Sequence, residues 1–234
     1  MNLLNKLYNF VIITSKLFNI DESHSITHSM NVYYYANKIY NYEHKNKVNI
    51  TEMNRSFSGD SSLFSGVSPK ENTTLEKHKN IIDVSAILHD MCDKKYMDEK
   101  IGIERINNFI QTELKTEITN PELDIIKKII STMSYSTIKK NGFPDLQEYQ
   151  LAYNIVREAD LLTSYDFDRC IIYNMIRNNN NYEESFKDAL NVFENRVFKY
   201  HDDNLFFTKY SLIESHKLKI DAINRIKVLK NIIR

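Results

Sequence analysis

Apolar residues recur along this chain at intervals of three and four, the spacing of one face of a helix, and not at the interval of two that marks a strand. Leu3, Leu7, Phe10, Val11 and Leu17 fall near one face of a first helix. His28, Val32, Tyr35, Ala36 and Ile39 form a stripe at i, i+4, i+7, i+8 and i+11. They place a second helix over residues 26–40, behind a polar lead-in, Asp21 to Ser25, whose side chains suit capping. Ile82, Ser85, Ala86 and His89 share a face of a third helix over 80–90. Similar patterning predicts helices over 98–114, 120–133, 146–162, 167–177, 182–200 and 210–233. Asn120, Pro121 and Glu122 read as an N-cap, a proline at the first helical position and an acid in the first turn.

Breaks in the pattern are few. Residues 51–74 form the densest serine region and hold two of the four glycines and one of the three prolines, which predicts a long mobile insertion. Residues 134–145 read as a loop, and Asn178 to Asn181 as a break. So few breakers argue against a sandwich or barrel, which needs many tight turns. The expectation is an all-α helical bundle forming one domain over 1–234, with the helices of 182–233 packed on the core.

Composition narrows this further. Asn, Lys and Ile are abundant and Trp is absent; we read this as the codon bias of an AT-rich genome, so a single Asn or Lys carries little information. Formal net charge is +0, so nothing points to duplex DNA or RNA as a partner. Cys92 and Cys170 lie far apart without a CxxC, which fits a reducing, cytoplasmic compartment. The N-terminal segment is interrupted by Asn5, Lys6, Asn9 and Lys16, and no run approaches the ~18 apolar residues of a membrane span. No membrane role is expected, and a homodimer is left open.

One stretch carries more charge than a helix end usually does: VSAILHDMCDKKY, Val84 to Tyr96. Its periodicity turns His89 inward, with Asp90 beside it. Asp93, four residues past His89, shares that face if the helix continues one more turn. His28 points inward from the second helix. Asp160 abuts the stripe of Ala152, Ile155, Val156 and Ala159. Two imidazoles and two carboxylates suit a borderline-to-hard divalent cation. The alternative is a buried His–carboxylate pair with two solvated acids.

The order H…HD…D on helices resembles the HD-domain metal-dependent phosphohydrolases, and most nearly their small bacterial-type nucleotide hydrolases and pyrophosphatases. HSITHSMNV (His24 to Val32) is similar to a first motif HDxxHxxRV. ILHDMCDKK (Ile87 to Lys95) is similar to LLHDxxDxK, and IVREADLLT (Ile155 to Thr163) to IVxDADRLD. The closing helices resemble that group less specifically.

The resemblance implies His28, His89, Asp90 and Asp160 as ligands of one divalent metal: Mn, Mg, Fe, Co or Ni. It implies catalytic roles for Asp93, in proton transfer, and Lys95, against phosphoryl charge. His24 and Lys94 are candidate substrate-binding residues, and Ser134, Ser136, Lys139 and Lys140 are weaker ones. Four positions depart from the family: Ser25, Asn31, Leu161 and Thr163. The function implied is hydrolysis of a phosphate ester or anhydride of a small phosphorylated substrate, a nucleotide. The alternative is an inactive module that binds metal and nucleotide.

Overall fold

The computed structural model describes residues 1–57 and 74–232. Among these it contains no strand. The helices are α1 (Leu3–Phe18), α2 (Ile26–Phe57), α3 (Thr74–Lys77), α4 (Lys79–Leu88), α5 (Glu99–Glu113), α6 (Asn120–Thr132), α7 (Tyr135–Asn141), α8 (Gln150–Thr163), α9 (Phe167–Arg177), α10 (Tyr182–Asn195) and α11 (Lys209–Ile232). Single 3-10 turns precede α8 and follow α10. The all-α expectation is met.

The centre of the fold is α4. Every residue from Ile81 to His89 is buried, the polar Asp83, Ser85 and His89 among them. Around it pack α1, α2, α6 and α8. The inward stripes do what their spacing predicts: Val32, Ala36 and Ile39 of α2, and Ala152, Ile155, Val156 and Ala159 of α8, are all fully buried. The closing helices join the same core, α11 against α2, α8 and α9, and α10 against α9.

Carboxylate hydrogen bonds fix the start of α11. The Glu158 carboxylate of α8 accepts from Phe207 N (2.9 Å), Thr208 N (3.1 Å) and Thr208 Oγ1 (2.7 Å), just before α11 begins. Glu43 of α2 accepts from Lys209 N at 2.9 Å. Two carboxylates thus meet the unpaired amides and positive dipole end of α11. Glu158 also faces the fully buried Arg157 guanidinium at 3.1 Å, which lies against both the Phe143 and Phe207 rings.

Several predicted boundaries shift. α2 runs on to Phe57 because no Gly or Pro interrupts residues 41–57; the first part of the predicted insertion is therefore helical, and 58–73 lies outside the described residues. The cap of α6 is Thr119, one residue earlier than read: Glu122 accepts from Thr119 N at 2.7 Å and Thr119 Oγ1 at 2.8 Å. The predicted loop 134–145 contains α7, which is too short for a helical period to register. Ser134 caps it by accepting from Thr137 N, and Gly142 ends it at φ 76°. The helix read over 146–162 begins with a 3-10 turn. That read over 182–200 breaks at Arg196, whose φ of −133° leaves the helical region. Leu17, ten residues past Leu7, has rotated off the packing face and is exposed; Thr14 is buried instead.

Candidate metal centre

Three helices deliver the predicted residues to one point. His28 comes from the first turn of α2, His89 is the C-terminal cap of α4 with Asp90 next to it, and Asp160 sits in the last turn of α8. His28 Nε2 lies 3.1 Å from His89 Nε2, 3.2 Å from Asp90 Oδ2 and 3.4 Å from Asp160 Oδ1. His89 Nε2 lies 3.2 Å from Asp90 Oδ2 and 3.8 Å from Asp160 Oδ1. Ligand atoms ~2.1 Å from a shared divalent ion stand about 3 Å apart in adjacent positions. The spacing and the mixed nitrogen and oxygen donors fit such an ion, and His28, His89 and Asp160 form a group that could hold one. Asp90 Oδ2 is buried and has the two imidazole Nε2 atoms, each 3.2 Å away, as its polar neighbours, a setting in which a cation would satisfy it.

Electrostatics within the cluster follow from burial and proximity. Burial lowers the pKa of His89, but the Asp90 and then the Asp160 carboxylates outweigh it and raise His89 to about 9. Burial raises the acids, but the imidazoles dominate: Asp160 falls to about 2, and Asp90 is held well below the usual carboxylate range. His89 Nδ1 faces the Ala86 carbonyl at 2.9 Å. A carbonyl only accepts, so Nδ1 carries the proton and Nε2 faces the cluster.

The cluster opens on a cleft of about 510 Å³, within the size range of small-molecule sites. His24 and Lys95 meet on its wall: Lys95 Nζ is 3.2 Å from His24 Nε2 and lies over the Tyr173 ring. The chain does not continue α4 through Asp93; it turns after His89. The turn places Asp93 on the cleft, with Oδ1 accepting from Lys95 N at 2.9 Å and Oδ2 3.4 Å from Lys95 Nζ. Lys94 reaches the rim, largely exposed, 3.9 Å from Glu99. Ser134 and Ser136 line the cleft, whereas Lys139 pairs with Asp203 at 2.9 Å; neither Lys139 nor Lys140 lines it.

Sequence reasoning missed four groups. Asp21 accepts from the Tyr96 hydroxyl and from Ser23, holding the segment that carries His24; these hydrogen bonds and His24 keep its carboxyl well below the ordinary range despite burial. Arg169, Arg177 and Arg196 all line the cleft, and none forms an ion pair with a carboxylate among the described residues. No periodic signal distinguishes them in a chain rich in charge. The departures from the family motifs lie elsewhere. Asn31 and Thr163 line a groove beside α11 that adjoins the cleft at Asp166 and Arg169, Leu161 is packed in the core, and none of them, nor Ser25, lines the cleft itself.

Both cysteines are free, and no described helix is long and apolar enough to cross a membrane. Neither a family model, nor a curated protein, nor a solved structure matches the chain.

Proposed function

We propose that this chain is a metal-dependent phosphohydrolase that cleaves a phosphate ester or anhydride of a nucleotide. The observation that carries the reading is the meeting of His28, His89, Asp90 and Asp160, from three helices, at the floor of a cleft also lined by Arg169, Arg177 and Arg196, which pair with no carboxylate among the described residues. The resemblance to the HD-domain phosphohydrolases points the same way.

His28, His89, Asp90 and Asp160 would hold one divalent ion, which when bound supplies Lewis acidity toward a phosphoryl oxygen and lowers the pKa of water. Asp93 takes the proton of the attacking water or returns it to the leaving oxygen. Its Oδ1 is engaged by Lys95 N, which fixes the carboxylate on the cleft wall. Lys95 offsets charge growing on the phosphoryl oxygens, and His24, 3.2 Å away, orients its ammonium group. Lys94 adds positive charge at the rim.

The test is bound-metal analysis of the purified chain, followed by phosphate and pyrophosphate release over a nucleotide panel with Mn²⁺ or Mg²⁺. Turnover that is lost in His89→Ala and Asp160→Asn supports the reading. Metal bound without turnover on any nucleotide leaves only a binding module. Absence of metal, with His89→Ala behaving as wild type, overturns both.

A further inference from the structure

Arg169 stands in the first turn of α9, and one nitrogen serves two contacts. Its Nη1 is 2.7 Å from His28 Nδ1 and 2.9 Å from the Ser23 carbonyl. A guanidinium can only donate. His28 Nδ1 therefore accepts, and the proton of the neutral ring sits on Nε2. That is the nitrogen facing His89, Asp90 and Asp160. His89 has the opposite arrangement, with Nδ1 donating to the Ala86 carbonyl and Nε2 left for a metal.

A ligating nitrogen has to offer its lone pair. For Nε2 of His28 to do so, the ring proton has to stand on Nδ1, directly opposite an Arg169 N–H. Two donors cannot face each other at 2.7 Å. Metal loading thus requires the Arg169 guanidinium to turn off His28. No carboxylate among the described residues pairs with it, and the cleft it lines also holds Arg196, whose Nε is buried without a hydrogen-bond partner. The acceptors missing from this wall are those a phosphoryl group carries.

We infer that Arg169 couples the two ligands of the cleft: it donates to His28 in the metal-free chain, and a phosphoryl anion that draws it away releases His28 to bind the metal. The inference rests on the metal reading above and adds a sign to it. Arg169 is a positioning residue that opposes metal loading until the anion arrives. Linkage makes the effect reciprocal, so bound metal also favours the anion.

Titration of the full-length chain with Mn²⁺ alone tests the sign. Arg169→Ala should bind Mn²⁺ about 10-fold more tightly than wild type, within the usual range of coupling between sites. Arg169→Lys, which still carries only donors, should stay near wild type. Weaker binding by Arg169→Ala overturns the inference, because that is what loss of a simple support for His28 would produce. Inorganic phosphate should tighten Mn²⁺ binding more in wild type than in Arg169→Ala, and an equal shift in both rejects the coupling. Imidazole ¹⁵N spectra of the metal-free wild type need no variant: His28 should be protonated at Nε2 and bare at Nδ1, where Arg169 donates. Protonation of His28 at Nδ1 rejects the inference. A wild-type chain that takes no Mn²⁺ overturns the metal reading itself, whereas Mn²⁺ binding with the wrong sign for Arg169→Ala overturns only the role of Arg169.

Discussion

The Nε2 atoms of His28 and His89 stand 3.1 Å apart, though 61 residues separate them in the chain. Both rings are buried. Asp90 and Asp160 close on the same point. Such a cluster is costly to assemble unless its charges are matched, and its pH response follows from that matching.

The metal-free chain should lose stability as pH rises through the pKa of His89. That pKa is raised from 6.5 to about 9, because Asp90 and Asp160 outweigh burial. A raised pKa contributes stability that is complete below 6.5 and is lost as pH climbs through about 9. Asp160, lowered to about 2 from 3.8, contributes the opposite way: its share is present above 3.8 and lost as pH falls through about 2. Urea midpoints measured with chelator across this range check both arms. Mn²⁺ affinity should instead climb toward pH 9, since the metal displaces the His89 proton.

Asp93→Asn should keep the metal and lose the chemistry. Asn retains the Oδ1 that accepts from Lys95 N, so the turn survives, but it cannot take a proton. Turnover should fall by about 10²–10⁴-fold, the usual weight of general acid–base catalysis, with Mn²⁺ affinity unchanged. Full activity in this variant would assign proton transfer to another group.

Gly102→Ala should disturb the centre from a distance. A Cβ at Gly102 of α5 would fall 2.5 Å from the Cys92 Cα, so the helix and the turn after His89 have to separate. Overpacking of this kind costs about 1–3 kcal/mol. Because Cys92 is two residues from Asp90, Mn²⁺ binding should weaken along with the urea midpoint. A change in stability alone would mean that the turn moves without Asp90.

Glu158→Ala should release α11. The carboxylate faces buried Arg157 at 3.1 Å and accepts three hydrogen bonds from Phe207 and Thr208. Removing one partner of a buried pair costs about 3–5 kcal/mol, because the other charge stays buried. Chemical denaturation gives the loss, and hydrogen exchange should locate it at the start of α11.

Helical period carries information only where a helix is long enough to repeat. The stripes of α2, α4 and α8 were therefore legible, and with them the inward direction of His28 and His89 and the place of Asp160 at the edge of its stripe. α7 spans two turns at most and left no signal. The end of α2 differs for another reason: its apolar stripe stops at Ile39 and the serine-rich stretch begins at 51, whereas a helix without Gly or Pro continues until something stops it. Helical spacing puts Asp93 on the face of His89 only if α4 continues one more turn; it reaches the cleft because the chain turns instead.

By itself the sequence determined the helical class and the inward faces, because side-chain burial along one helix is a matter of local spacing. Through its motifs it also nominated His28, His89, Asp90 and Asp160. Only the tertiary structure decided that the four meet, and that Arg169, Arg177 and Arg196 share their cleft. It also decided which hydrogen-bond partner stands behind His28: the Arg169 guanidinium. That partner comes from 141 residues away, on another helix. A one-dimensional pattern does not encode contacts between separate helices, since they depend on how the helices cross.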